Sequence, residues 1–410
     1  MTEFMELIPP GEALAKLLQH LPVAPVRETI ESVEGLGRVL AENIEAPHAM
    51  PPFVRSTVDG YAVKAADTFG ASETLPTYLD MVGEILMGKE PGFGIAAGRC
   101  GLIHTGGMLP EGADAVVMVE RTQVVNEAQV EIHKAAAVGE NVIHAGEDVA
   151  EGEVVMEKGK RLRAAEIGGL MAIGRTQVDV AKRPRVGILS TGNEVVPPTI
   201  EPRLGQVRDI NTYTLSEIVA AAGGEAVPYG ILADDQEKVA EISEEALEAC
   251  DMVMITAGSS VSHRDITAEV IEGLGEPGVL VHGINLRPGK PTIFGVCGGK
   301  AVIGLPGNPV SAFVVASMYI APIVGALQGE QRADFAGTFP AKLAINLAST
   351  AGREDWVAVK VSGGAGEMTA EPVFGKSNLI FTLVRADGLI RIPPEANGIS
   401  AGDRVMVHQL

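Results

Sequence analysis

A chain of 410 residues, 46% of them apolar, can bury several cores, and at roughly 100–200 residues per domain it divides into about two to four. Only 4% of the residues are aromatic, so those cores are aliphatic, and 49 Gly with 25 Pro imply many turns between short elements. A formal net charge of −21 excludes nucleic acid as a partner and obliges any anionic ligand to find a local basic cluster or a divalent cation.

The first residues mix Glu, Lys and Pro with apolar side chains and carry no signal-peptide core, so the expected location is the cytoplasm. Residues 12–21 read as a short amphipathic helix. Residues 22–44 read as an extended segment followed by a helix, with Gly35 and Gly37 as breaks. Between about 47 and 142, apolar runs of strand length (61–63, 77–85, 99–104, 115–120 and 130–133) are separated by Gly and Pro, which predicts a small β domain. Residues 142–178 offer a turn, a strand and a helix at 164–173.

From about 183 to 328 the pattern alternates. Strands are expected at 186–189, 226–232, 252–255, 279–284, 292–296 and 301–305, with helices at 212–222, 236–250 and 266–274. This βαβ rhythm predicts a mostly parallel sheet covered on both faces. The apolar run 310–327 contains Pro322 and falls short of the roughly 20 residues that span a bilayer, so it reads as a buried helix and no membrane partner is expected. Beyond 332 the chain returns to short strands at 339–345, 356–361, 369–373, 388–392 and 404–407, a small C-terminal β domain.

Ligands of open α/β sheets sit beyond the carboxyl ends of the strands, and three loops of the central region qualify. Ser190-Thr191-Gly192-Asn193-Glu194 combines small residues that allow backbone approach with one carboxylate. The loop from Thr256 to Asp265, with Gly258 and Ser260, resembles an anion nest closed by a carboxylate. Pro306-Gly307-Asn308-Pro309-Val310-Ser311 turns into a helix that Asn308 can cap and Pro309 can start, which would aim a row of unbonded N–H groups at an anion. Asp234-Asp235 reads either as a helix cap with a solvated neighbour or as a metal ligand. Arg287-Pro288-Gly289-Lys290-Pro291 sets two cations in a stiff loop, suited to phosphate. Asp59, before Gly60, and Asp148, in Gly146-Glu147-Asp148, read equally well as turn acids or site acids. Cys100, Cys250 and Cys297 are too far apart for a zinc or disulfide motif and read as buried residues.

Taken together, residues 55–63, Thr105-Gly106-Gly107 with Gly112-Ala113-Asp114, Gly146-Glu147-Asp148, residues 190–194, Pro288-Gly289-Lys290-Pro291 and residues 304–312 resemble the MoeA family, the molybdopterin molybdenumtransferases related to the E domain of gephyrin. The resemblance runs from the N-terminus to the last strands. It implies a multidomain α/β plus β fold: a linker domain (1–45 and 143–180), an inserted β domain (46–142), a mostly parallel α/β molybdopterin-binding domain (181–328) and a small barrel-like β domain (329–410). It also implies a homodimer that inserts molybdate into adenylylated molybdopterin with Mg²⁺ and releases AMP. Transient contacts with the adenylyltransferase and with recipient apoenzymes would accompany that role.

Position by position, the resemblance carries catalytic roles onto Asp59, Thr105, Asp148, Glu194, Asp265 and Lys290. It carries metal binding onto Glu194, Asp234 or Asp235, and Asp265. The loop chemistry above places ligand contacts on Ser190, Thr191, Gly192, Gly258, Ser260, Arg287, Pro306, Gly307, Asn308 and Ser311, and the resemblance adds Arg353 and Ser377. Three departures stand out: Arg287 where lysine is frequent, Ser259 and Ser262 where glycines are frequent, and the segment Gly375-Lys376-Ser377-Asn378. They leave open a paralogue that handles tungstate. A scaffold that only holds molybdopterin is disfavoured by the convergent acidic set. An adenylyltransferase is disfavoured by the flanking β domains.

Overall fold

A computed structural model of the chain describes residues 7–22, 24–257, 261–331, 337–364 and 367–410, without the side chains of residues 261–265. Two compact units emerge, one formed by Glu42–Lys158 with Ala165–Thr176 and the other by the rest of the chain.

The first unit is built on a six-stranded sheet in the order Ala115–Met118, Gly60–Val63, Arg99–Ile103, Thr77–Ile85, Gln129–Ile132, Thr122–Asn126. The strand Gly60–Val63 is buried on both faces: Tyr61 and Val63 join Leu79, Val117 and Ile132, while Ala62 joins Ile85, Ile103 and Val116. Side chains alternate along a strand, so one short segment serves two clusters. Gly60 pairs with Ile103 on one side and Met118 on the other. A Cβ built at Gly60 would fall inside the contact distance of the Val117 carbonyl oxygen. Gly60→Ala is therefore expected to destabilise this unit by about 3 kcal/mol, read as a lowered midpoint in urea unfolding.

The second unit contains the α/β layer. Its sheet runs Glu225–Leu232, Arg185–Thr191, Met252–Ala257, Lys300–Pro306, Ile293–Cys297, Pro277–His282. The first four strands pair in parallel, and Ile293–Cys297 runs antiparallel to both of its neighbours, Lys300–Pro306 and Pro277–His282. Val186, Ile188, Met252, Met254, Ala301 and Ile303 face one core, and Leu189, Val253, Ile255 and Val302 face the other. The helices Asn211–Ala221 and Pro309–Leu327 cover the first face, and Gln236–Ala249 with Val261–Gly273 covers the second.

The helix Pro10–His20, in the segment assigned on sequence to the linker domain, buries Ala13 and Leu17 in the first of these cores. The helix Pro309–Leu327, unlike the sequence expectation, is long and apolar enough to cross a membrane, but as expected most of it is buried inside the protein. Tyr319 of this helix packs 4.8 Å from Phe294 and donates to the Pro10 carbonyl at 3.1 Å.

Beyond this layer, Glu354–Gly364, Glu367–Pro372, Thr338–Leu343, Arg404–Gln409 and Gly388–Ile392 pair in sequence and close back on Glu354–Gly364, making a five-stranded barrel. Leu343, Val359, Ile390, Val405 and Val407 fill it. The short strand Leu286–Arg287 adds to it in parallel beside Glu354 and Asp355.

The helix expected within residues 22–44 is not formed. Arg27–Glu31 is a strand paired with Gln177–Ala181, and only a single 3₁₀ turn, Ser32–Glu34, follows. Gly35 and Gly37, the latter at φ +74°, remove helix propensity where it is needed. The buried Val39 and Leu40 instead bond along residues 160 and 181.

Candidate functional site

In the sheet unit, three loops are drawn together by backbone bonds. Gly106 donates to the Ser56 carbonyl at 2.8 Å, Ser56 to Gly107 at 3.0 Å and Thr57 to Asn141 at 3.0 Å. Asp148 donates from its own N–H to the Met50 carbonyl at 3.0 Å, which ties its segment to the chain nine residues before Asp59, whereas Asp59 and Thr105 are in direct contact. Oδ1 of Asp59 accepts from the Thr105 N–H at 2.7 Å and from its hydroxyl at 3.1 Å. These two bonds, the backbone one foremost, hold the Asp59 carboxyl below its ordinary range, with His104 adding a smaller pull. His104 meets Glu84 at 2.9 Å through Nε2, with Nδ1 3.8 Å from Asp59. Asp148 is exposed.

In the other unit, a cleft of about 1030 Å³ opens between the carboxyl edge of the sheet and the barrel. The loops around Arg287–Lys290, Pro306–Ser311, Arg353–Ala358 and Val373–Asn378 line it. Its described wall carries four cations, Arg287, Lys290, Arg353 and Lys376, against one carboxylate, Asp355. In a chain of net charge −21 this is a concentrated reversal of sign. Lys290 and Lys376 are exposed and have no ion-pair partner among the described residues. Arg353 Nε donates to Asp355 Oδ1 at 2.8 Å, and Arg287 Nη1 lies 3.6 Å from Asp355 Oδ2.

The turn at residues 306–311 differs in part from expectation. Asn308 holds the N-cap position and Pro309 the first turn, but the Asn308 side chain makes no capping bond. The N–H of Val310 is not open to a ligand, because it donates to the Ser377 carbonyl at 3.0 Å. Pro306, Gly307 and Ser311 surround this helix start, and Gly307 accepts from Asn211 Nδ2 at 2.9 Å. The Ser311 side chain and Ser377 both border the cleft.

Ser190 and Thr191 are buried and spend their hydroxyls within the fold, Ser190 on Thr212 at 2.9 Å and Asp209 at 3.3 Å, Thr191 on the Thr256 carbonyl at 3.1 Å. They shape the loop, and Gly192, at φ +146°, lets it turn past Glu194, which is exposed. Asn193 N–H donates to Asp234 Oδ2 at 3.2 Å and Asp234 N–H to Asn193 Oδ1 at 3.2 Å, so the Glu194 loop rests on Asp234. Asp235 is the N-cap of Gln236–Ala249, accepting from the N–H groups of Glu237 and Lys238. Gly258, Ser259 and Ser260 lie outside the described residues, as do the side chains of Ser262 and Asp265. Among the described residues no group of three or more His, Cys, Asp or Glu is placed to hold a metal. All three cysteines are buried, and burial pushes the Cys100 thiol up to about 12 and Cys297 to about 11, so neither is a thiolate at neutral pH.

Sequence reasoning missed Asp355 as a site residue. Asp355 is the second residue of the strand Glu354–Gly364 and Arg353 immediately precedes that strand, and the two side chains meet across this spacing of two.

Residues 8–174 match the family described as the MoeA N-terminal region (domain I and II), residues 187–326 a molybdopterin binding domain and residues 340–410 the MoeA C-terminal region (domain IV). A molybdopterin biosynthesis protein of Methanocaldococcus jannaschii is 37% identical, covering 96% of this chain and 95% of its own. A molybdopterin molybdenumtransferase of Haemophilus influenzae is 30% identical over 97% of both chains. The solved molybdopterin biosynthesis MoeA protein of Pyrococcus horikoshii superposes with a TM-score of 0.86 at 31% identity, covering 99% of this chain and 100% of that one.

Proposed function

This chain belongs to the MoeA family, and on that premise we propose that it inserts molybdate into adenylylated molybdopterin and releases AMP. It is a transferase of molybdenum cofactor biosynthesis, acting on small molecules. The observation that carries the finer reading is the basic cleft, four cations against one carboxylate in an otherwise acidic chain. A doubly charged oxyanion and a pyrophosphate both call for such a wall. Lys290, Arg287 and Arg353 bind oxyanion or phosphate oxygens there. Ser311, Ser377 and the turn Pro306-Gly307-Asn308 border the bound group. Asp59, with Thr105 and Asp148, supplies an acidic wall that positions the reactants, from a second copy of the chain in a homodimer.

Hard oxygen donors in adjoining loops suit Mg²⁺, which binds through one or two carboxylates plus substrate phosphates. Glu194 and Asp234 would hold it, with Asp265 as a third donor, and it would neutralise charge on the pyrophosphate. Asp235 is already committed to its helix cap. The four-domain division read from the sequence, a cytoplasmic location, and contacts with the adenylyltransferase and recipient apoenzymes complete the proposal.

Single-turnover AMP release from adenylylated molybdopterin tests it, with molybdate, with tungstate and with no oxyanion, each in Mg²⁺ and in excess EDTA. The expected result is Mg²⁺-dependent release driven by molybdate. Release driven by tungstate alone would change the metal. Tight molybdopterin binding with no AMP release would make the chain a carrier.

A further inference from the structure

The carboxylate in the basic wall is the least expected group in the cleft. The Asp355 side chain is only 6% exposed. Its Oδ1 accepts from Arg353 Nε at 2.8 Å, and its Oδ2 accepts from Ser349 Oγ at 2.9 Å and from Arg353 Nη2 at 3.4 Å. Arg287 Nη1 is 3.6 Å from the same Oδ2. The two arginines come from distant parts of the chain, and the parallel pairing of Leu286–Arg287 with the start of Glu354–Gly364 sets Arg287 opposite Asp355. Glu354 N–H donates to the Asn285 carbonyl at 3.0 Å, and the Asn285 side chain donates back to Gly352, so this juxtaposition is fastened on both sides.

Two guanidinium groups on one wall repel each other, and long side chains lose rotamer entropy when fixed. A buried carboxylate between them offsets both costs. Arg353 commits Nε and one Nη2 hydrogen to Asp355, which leaves both Nη1 hydrogens and the other Nη2 hydrogen as donors. Arg287 touches the carboxylate through one nitrogen only and is 63% exposed. We infer that Asp355 is a positioning residue for oxyanion recognition, holding Arg353 and Arg287 in one orientation before the anion arrives. The inference rests on the reading of the cleft as the oxyanion site. It makes selectivity depend on the direction of the donors rather than on total charge, since the trio carries a net charge of only about +1.

The test is a mutant cycle on molybdate-dependent AMP release, with Asp355→Asn, Arg353→Ala and the double variant, and thermal melting as a check on folding. Asp355→Asn is expected to raise the half-saturating molybdate concentration about tenfold while turnover at saturation changes less than about twofold. In the Arg353→Ala background the same substitution should add under about twofold, because a positioning residue acts through its partner. A purely structural role would give equal effects in both backgrounds and would overturn the inference, as would an unchanged half-saturation. Where Asp355→Asn does not fold, Ser349→Ala replaces it, with an expected rise of about threefold that vanishes without Arg353. No rise would overturn the inference. If Arg353→Ala itself leaves molybdate dependence unchanged, the oxyanion reading of the cleft fails. If Arg353→Ala weakens it and Asp355→Asn does not, only the positioning role fails.

Discussion

Asp59→Asn is expected to lower single-turnover AMP release by about 10²–10³-fold while the fold persists. The substitution keeps the shape of the side chain. An amide oxygen can still accept from the Thr105 N–H and hydroxyl that now bond Asp59 Oδ1 at 2.7 and 3.1 Å, so the turn is retained and only the charge is lost. That charge is well maintained. The Thr105 backbone bond and then its hydroxyl favour the ionised form and outweigh the opposing effect of desolvation, with His104 adding the least.

A carboxyl with a depressed pKa contributes stability above its unfolded value and loses it as pH falls through the folded one. The Asp59 carboxylate is therefore expected to stay ionised to a lower pH than a free aspartate. Thr105→Val, which removes the hydroxyl and leaves the N–H, should cost less than Asp59→Asn. Full turnover by Asp59→Asn would remove the residue from the mechanism.

Lys290→Ala is the second large effect, an expected loss of about 10²-fold in kcat/KM with stability changed by less than about 0.5 kcal/mol. The backbone around Lys290 is firmly held. Its carbonyl accepts from Ile284 N–H at 3.0 Å, and Thr292 Oγ donates to the Gly289 carbonyl at 2.7 Å. Gly289 sits at φ +124°, and a Cβ there would collide with Val315, so the loop is built close against the helix Pro309–Leu327. The Lys290 ammonium is exposed and meets no carboxylate among the described residues. Removing it strands no buried partner, and the loss falls on the ligand alone. Lys290→Arg separates charge from shape, since a planar fork replaces a point donor. Unchanged kinetics in Lys290→Ala would place the anion elsewhere in the cleft.

Much of the architecture was legible because its signals are local. The run Met252-Val253-Met254-Ile255 is apolar throughout, and a strand buried on both faces requires that. Asp235 at the head of a polar helix was readable as a cap, and it is one. In residues 22–44 two glycines interrupt a weak helical pattern, and long-range pairing with Gln177–Ala181 prevails.

The site was legible as a set of residue types. Arg287 and Lys290 stand out as cations in a stiff loop of an acidic chain, Arg353 is marked only by the family resemblance, and the cleft brings all three to one wall. Which groups remain available to a ligand was not legible. Ser377 blocks the Val310 N–H that the turn alone leaves open, and Ser190 spends its hydroxyl on Thr212. Both partners are far away in sequence, where no periodicity or spacing reports them.

By itself, then, the sequence determined the layered α/β core, the β domains around it, the family and the cations that the function needs, because periodicity, turn chemistry and residue type are properties of short segments. Only the tertiary structure decided that Asp355 holds two of those cations together and that the helix start is partly closed. Both depend on which distant carbonyl or carboxylate the fold delivers to a given N–H, and hydrogen bonding discriminates at distances of about 3 Å that a one-dimensional pattern does not carry.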